Sequence, residues 1–248
     1  MTLEQFFAEN REVAIAFSGG VDSAYLLYAA TRYAARVKAY YVSTAFQPAF
    51  ELADARRLAD ELGADMLVLH VDVLSNSAVT ANPSDRCYHC KNTLFRQILR
   101  AAENDGFPVL LDGTNASDDA GDRPGMRALR ELYVRSSLRE CGLTKAEIRR
   151  LSREAGLFTW DKPAYACLAT RIRTGEEITL QKLKQTEKAE GFLFGLGFRD
   201  FRVRMVGNTA KLELRETDLP LLLENREKIV TELRQDYDSV MLNLEVRK

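Results

Sequence analysis

The sequence predicts an α/β fold: a parallel sheet with helices on both faces, followed by a small C-terminal α+β domain. Three observations point there. Short apolar, β-branched runs alternate with helical stretches from residue 13 to residue 114, a Gly- and Ser-rich hexapeptide joins the first run to the first helical stretch, and the rhythm changes near residue 174. The runs are VAIAF (13–17), VKAYYVS (37–43), MLVLHVDV (66–73) and VLLDGT (109–114), and segments between them such as 23–33 and 51–62 read as helices. Continuous apolar strands of this kind belong to sheets buried on both faces. Later, a helical stretch at 180–194 leads into FRVRMVGNTAKLELR, two alternating strands about a Gly207-Asn208 turn signal. A helix near 218–234 and a last strand, SVMLNLEV, follow. The domain boundary falls between Arg173 and Ile178, giving 1–174 and 175–248, and no repeat or low-complexity tract interrupts either part.

With 248 residues, 46% hydrophobic and 29% charged, the chain can bury a sizeable core. Lys plus Arg number 35 against 36 for Asp plus Glu, and a net charge of −1 gives no global attraction to nucleic acid or to an acidic membrane. The stretch MTLEQFFAENREVAIAF carries acidic residues where an export signal is basic, and no apolar run reaches membrane-spanning length. The expectation is a cytoplasmic protein with neither nucleic acid nor membrane as partner. There, Cys87, Cys90, Cys141 and Cys167 read as thiols, metal ligands or catalysts rather than a disulfide framework.

The hexapeptide SGGVDS spans residues 18–23, where a strand turns into a helix. Ligands of open α/β sheets bind beyond the carboxyl ends of strands, and a helix starting there presents unpaired N–H groups and the positive end of its dipole. Gly19 and Gly20 let backbone approach phosphate oxygens, and Ser18 and Ser23 add hydroxyl donors. The plainer alternative is a helix start with a glycine turn and Asp or Ser caps. The loop holds no lysine, which a GxxxxGK[ST] loop uses to reach the β and γ phosphates, so a different bond of the nucleotide is expected to break.

SGGVDS resembles the PP-loop of ATP pyrophosphatases, the adenine nucleotide alpha hydrolase-like proteins. LDGTNASD, ending at Asp118, resembles the adenine-side segment of the same superfamily. The resemblance implies cleavage of ATP between its α and β phosphates, with Gly113 and Asn115 joining Ser18, Gly19, Gly20, Asp22 and Ser23 around the nucleotide. Asp22 would repel bare phosphates, which a bridging Mg²⁺ reconciles.

SDRCYHCK puts Cys87 and Cys90 at CxxC spacing, which suits two thiolates on one metal or cluster, a redox pair, or two small buried thiols on a helix turn. Zinc would want a second ligand pair of similar spacing, and His70, His89, Cys141 and Cys167 are scattered. A third thiolate from Cys167 suits a [4Fe–4S] cluster with one open iron.

Cys167 lies in WDKPAYACLATRIRTGEEIT. With SGGVDS, DRCYHCK, GTNASDDAGDRPGMRA and GLTKAEIRRLSREAGL, this segment resembles the LarE family of ATP-dependent sulfur transferases, which thiolate the precursor of the nickel-pincer nucleotide cofactor. The likeness runs over nearly the whole chain. It implies a small-molecule substrate, pyridinium-3,5-biscarboxylic acid mononucleotide, whose carboxylate attacks the α phosphate of ATP before sulfur displaces AMP from the acyl adenylate. A carboxylate is a poor electrophile, and adenylation gives it a good leaving group, with Mg²⁺ and loop N–H groups neutralising the departing pyrophosphate.

In the single-cysteine version of the family the residue matching Cys167 surrenders its own sulfur, whereas in the version that also has a CxxC three cysteines resemble ligands of a cluster carrying extra sulfide. This chain has all three, so cluster ligation by Cys87, Cys90 and Cys167 is the expectation; the sulfide donor is not identified. The resemblance further implies a homo-oligomer. Cys167, Asp22 and Arg171 are the expected catalytic residues, Arg171 holding AMP or a substrate carboxylate unless it forms a structural ion pair. Cys141, before a glycine at a helix end, reads as core packing. Two departures stand out: IRTG follows Arg171 where an aromatic-proline sequence is usual, and VRSSLRE replaces a Ser-Pro pair.

A two-residue turn at Gly207-Asn208 pairs Val206 with Thr209, Arg204 with Lys211 and Arg202 with Glu213. Arg204 opposite Lys211 is unfavourable unless solvated or met by an anion. The resemblance assigns Arg202 and Arg204 to a substrate phosphate, which Arg suits by bidentate pairing, and Glu190 and Glu213 to a divalent metal or the site. The alternative is a solvated polar sheet face. Competing functions are a tRNA-thiolating PP-loop enzyme, disfavoured by near-neutral charge, an amidating synthetase, which needs no cysteine triad, and an ATP-sensing module without turnover.

Overall fold

A computed structural model describes residues 1–118 and 124–247; residues 119–123, within GTNASDDAGDRPGMRA, lie outside the described residues. In chain order the elements are α1 (Leu3–Glu9), β1 (Glu12–Ala16), α2 (Val21–Tyr33), β2 (Arg36–Ser43), α3 (Ala49–Glu61), β3 (Met66–His70), α4 (Ser77–Thr80), α5 (Arg86–Asn104), β4 (Val109–Leu111), α6 (Pro124–Glu131), α7 (Ser137–Glu140), α8 (Lys145–Glu154), α9 (Leu180–Gly195), β5 (Arg202–Val206), β6 (Thr209–Glu213), α10 (Leu219–Glu224), α11 (Arg226–Leu233) and β7 (Ser239–Leu242). The chain divides into two compact units, one of residues 1–73 and 85–164, the other of 74–84 and 165–248.

In the first unit four parallel strands run in the order β3-β2-β1-β4. Successive side chains of β1 go to opposite faces: Val13 and Ile15 join the cluster built on α1 and α2, and Ala14 joins the one with Tyr40, Ile98 and Phe107. Burial on both faces is why this strand reads as an unbroken apolar run, each fully buried Val or Ile contributing about 1.5–3 kcal/mol. The outer strand β3 is half exposed and ends at His70, short of the expected strand, whose last residue Val73 instead opens a 3₁₀ turn at Val73–Ser75. After β1 the chain builds β2 and β3 on one side, then returns to lay β4 on the other. The strand order thus reverses between β1 and β4, where open sheets leave a crevice at their carboxyl ends. SGGVDS follows β1 there.

In the second unit the 74–84 segment is held by backbone bonds, Ile178 N–H to Thr80 O and Gly175 N–H to Asn82 O, both 2.8 Å. Asn82 Nδ2 donates to Arg173 O at 2.8 Å. These long-range bonds, which leave no trace in local composition, tie 74–84 to the second unit, whose main stretch begins at Tyr165, whereas the sequence reading puts the boundary between Arg173 and Ile178. The sheet order is β5-β6-β7, with β5 and β6 antiparallel and β7 parallel to β6. Pairing of Val206 with Thr209, Arg204 with Lys211 and Arg202 with Glu213 is the register the turn predicts. The helix expected over 218–234 is two, α10 and α11, parted at Asn225, whose Nδ2 donates back to Leu221 O at 3.0 Å. Among the described residues no helix is long and apolar enough to cross a membrane.

Candidate active site

Gly19 adopts φ +70°, and a Cβ there would approach Ala55 Cβ to 3.2 Å, so the loop needs glycine for both backbone and space. Gly20 is the N-cap of α2 and supplies no side-chain cap, which leaves the first N–H groups of this 13-residue helix open to an anion. The two serines are tied to the loop: Ser18 Oγ and Ser23 Oγ lie 3.0 Å apart, and Ser23 Oγ donates to Gly20 O at 3.2 Å.

The segment from Asp112 to Asn115 packs against this loop. A Cβ on Gly113 would meet Ser23 N at 3.1 Å, which explains the glycine, and Asn115 Nδ2 donates to Asp22 Oδ1 at 3.3 Å. Asp112 accepts bonds from Thr114 Oγ1 and, at 2.7 Å, from Ser136 Oγ of the variant Ser-Ser pair. A cavity of ≈ 330 Å³ is lined by Ser18, Gly20, Asp22, Ser23, Asp112, Gly113, Thr114, Asp118 and the α5 residues Lys91 and Phe95.

The loop that lacks a lysine is thus met by lysines from elsewhere. Lys91, next to Cys90, lines the cavity. Lys145 Nζ donates to Asp22 Oδ2 at 2.6 Å. Lys162 Nζ lies 3.4 Å from Gly19 O and 2.7 Å from Asp54 Oδ2 on α3. Sequence reading missed all three, although Lys145 carries a usable signal. Thr144 and Glu147 form a capping box that makes Lys145 the first residue of α8.

Cys87 and Cys90 sit in the first two turns of α5, three residues apart and so on one helical face. Cys87 is exposed and Cys90 half-buried. Arg86 Nη2 approaches Cys87 Sγ at 3.9 Å. None of the four cysteines is disulfide-bonded, and among the described residues no three His, Cys, Asp or Glu side chains gather as a metal-binding group. Cys141 packs against the first unit's core, and burial pushes its thiol pKa up.

In the second unit Cys167 precedes a 3₁₀ turn, Leu168–Arg171, and its carbonyl accepts Thr170 N–H at 2.9 Å. Arg171 and Glu190 form an ion pair whose side chains are 0% and 2% exposed. Arg171 Nε and Nη2 donate to Glu190 Oε1 and Oε2 at 2.7 and 3.0 Å, Val203 N–H donates to Oε1 at 2.9 Å, and Tyr165 Oη donates to Oε2. Burial opposes the Arg171 cation, and the Glu190 carboxylate outweighs it, leaving the guanidinium pKa above its ordinary value. Where the resemblance implies a metal ligand at Glu190 and a nucleotide or substrate contact at Arg171, the geometry engages each with the other.

Arg204 and Lys211 face one another with Glu213 between them. Arg204 Nε donates to Glu213 Oε2 at 2.8 Å and Lys211 Nζ lies 3.8 Å from Oε1, so one carboxylate serves two cations. Arg204 Nη1 also donates to Thr170 O at 2.6 Å. Arg202 is buried, and its pKa is lowered by desolvation and by the neighbouring charges of Arg171 and Arg247.

Residues 4–118 match the family model described as asparagine synthase. An uncharacterized protein, slr1717 of Synechocystis, is 39% identical over 86% of this chain and 80% of its own. The pyridinium-3,5-bisthiocarboxylic acid mononucleotide synthase of Lactiplantibacillus plantarum is 32% identical over 94% of this chain and 85% of its own. A tRNA-specific 2-thiouridylase of Thermotoga petrophila is 25% identical over 59% of this chain and 52% of its own.

Proposed function

The chain belongs to the LarE family of PP-loop, ATP-dependent sulfur transferases, and from that premise we propose that it adenylates the carboxylates of pyridinium-3,5-biscarboxylic acid mononucleotide and replaces their oxygen by sulfur. The observation that carries this reading is the cavity in which the uncapped start of α2, Asp22 and Lys91 meet beside Lys145. In the first step a substrate carboxylate oxygen bonds to the α phosphorus as the bond to the β phosphate oxygen breaks. The α2 N–H groups and the Ser18 and Ser23 hydroxyls hold the departing pyrophosphate, Lys91 and Lys145 offset its charge, and Asp22 is the group that would meet a bridging Mg²⁺. In the second step sulfur attacks the acyl carbon and AMP leaves. Arg204, sharing Glu213 with Lys211, has cationic capacity left for the substrate phosphate, with Arg202 behind it.

Cys87, Cys90 and Cys167 are the thiolates that would hold a [4Fe–4S] cluster. The pair on one face of α5 fits two such ligands. When bound, such a cluster would supply the sulfur that the second step consumes. Anaerobic reconstitution of the native chain is expected to give about four irons per chain by the cluster's formula, and Cys90→Ser is expected to lose both the iron and the thiolation; unchanged iron and activity would defeat the assignment.

The reaction itself is tested with ATP, Mg²⁺ and the pyridinium nucleotide. AMP and pyrophosphate should appear only with substrate, and the intact mass of the chain should be unchanged after turnover. Release of ADP would overturn the adenylation, and loss of one H₂S from the chain would replace cluster-borne sulfur with a sacrificed Cys167.

A further inference from the structure

We propose that Glu190 is a positioning residue for the Cys167 segment and not a ligand of a divalent metal; this rests on the reading that Cys167 handles the sulfur. The carboxylate takes one bond from a residue before that cysteine and two from a residue after it. Tyr165, two residues before it, donates through its hydroxyl, and Arg171, four residues after it, donates through Nε and Nη2 at 2.7 and 3.0 Å. Val203 N–H on β5 supplies the fourth bond at 2.9 Å. A carboxylate has about four acceptor sites, and here all are taken, so a cation could enter only by expelling a donor.

The segment is closed further from within. Arg171 Nη1 returns to Ala166 O at 3.1 Å and to Thr170 Oγ1 at 2.7 Å, and Thr170 Oγ1 donates to Cys167 O at 2.8 Å. The Tyr165 ring has Arg171 and Arg202 guanidiniums at 4.9 and 5.5 Å from its centroid, which fixes its orientation beyond the single hydroxyl bond. The turn bearing Cys167 is therefore anchored at both ends to one buried oxygen pair on α9. Such support holds a reacting group to the fraction of an ångström that group transfer needs.

Glu190→Gln tests this directly, because the amide keeps the shape but points N–H donors at groups that are themselves donors. Amide hydrogen exchange over residues 165–171 is expected to accelerate at least ~10-fold, with residues 12–33 unaffected. Thiolated product should fall at least ~100-fold while substrate-dependent ATP–pyrophosphate exchange stays within about threefold, and raising Mg²⁺ or Mn²⁺ should restore nothing. Tyr165→Phe, which removes the hydroxyl bond to Glu190, should give the same split in smaller measure, and its failure to move the hydrogen exchange would overturn the anchor. So would equal loss of both half-reactions in Glu190→Gln, or its rescue by divalent metal. If the native chain shows no substrate-dependent pyrophosphate exchange, the proposed function fails, and the hydrogen-exchange measurements still decide the anchor.

Discussion

Lys145→Met is expected to slow substrate-dependent ATP–pyrophosphate exchange by ~100- to 1,000-fold, the range seen when one preorganised charge-stabilising donor is lost. Stability should change by less than ~1 kcal/mol, because the Lys145–Asp22 pair is 35% and 21% exposed and solvent screens it. The two effects have separate origins. In the folded chain the ammonium neutralises Asp22, whereas in the proposed reaction it would face the charge that accumulates on pyrophosphate. Lys145→Arg should recover part of the rate, since charge is retained and reach is altered. Exchange within threefold of native in Lys145→Met, or a large fall in the denaturation midpoint, would show that the lysine serves the fold and not the nucleotide.

Arg171→Leu is expected to destabilise the second unit by ~3–5 kcal/mol, because it strands the Glu190 carboxylate with almost no solvent access. Glu190→Leu alone should cost a similar amount by stranding the guanidinium. The double substitution should recover much of the loss, since replacing a buried ion pair with apolar groups is often near neutral. Denaturant-dependent hydrogen exchange on β5 and β6 reads the second unit by itself, which matters because two units need not unfold in one step. A single-variant cost below ~1 kcal/mol would show that the pair is not desolvated and would overturn this assignment. The contrast with Lys145 is physical: similar ionic contacts differ in worth because one is partly in water and the other is out of it.

Much of the nucleotide loop was legible in the sequence because its chemistry is local. A glycine with positive φ at Gly19, an uncapped helix start at Gly20 and serines that bond within the loop all lie within six residues. The hairpin register was legible for the same reason, since a two-residue turn leaves no choice of partner. The 218–234 stretch reads as one helix because an apolar periodicity continues through Asn225, where the side chain donates to the Leu221 carbonyl as the first of two helices ends.

The residues that complete the sites were not legible, and distance along the chain is the reason. Lys91 and Lys145 lie far from Asp22 in sequence, and only the order β3-β2-β1-β4, with α5 and α8 returned to the crevice side, brings them to the loop. Likewise nothing in KPAYACLATR announces that Tyr165 and Arg171 share Glu190 from α9. Period, turn chemistry and capping are properties of neighbours in the chain, so the sequence alone determined where the strands begin, the glycine turn after β1 and the hairpin. Which cation neutralises which carboxylate depends on packing between distant segments, and that was decided only when the tertiary structure removed water from between them.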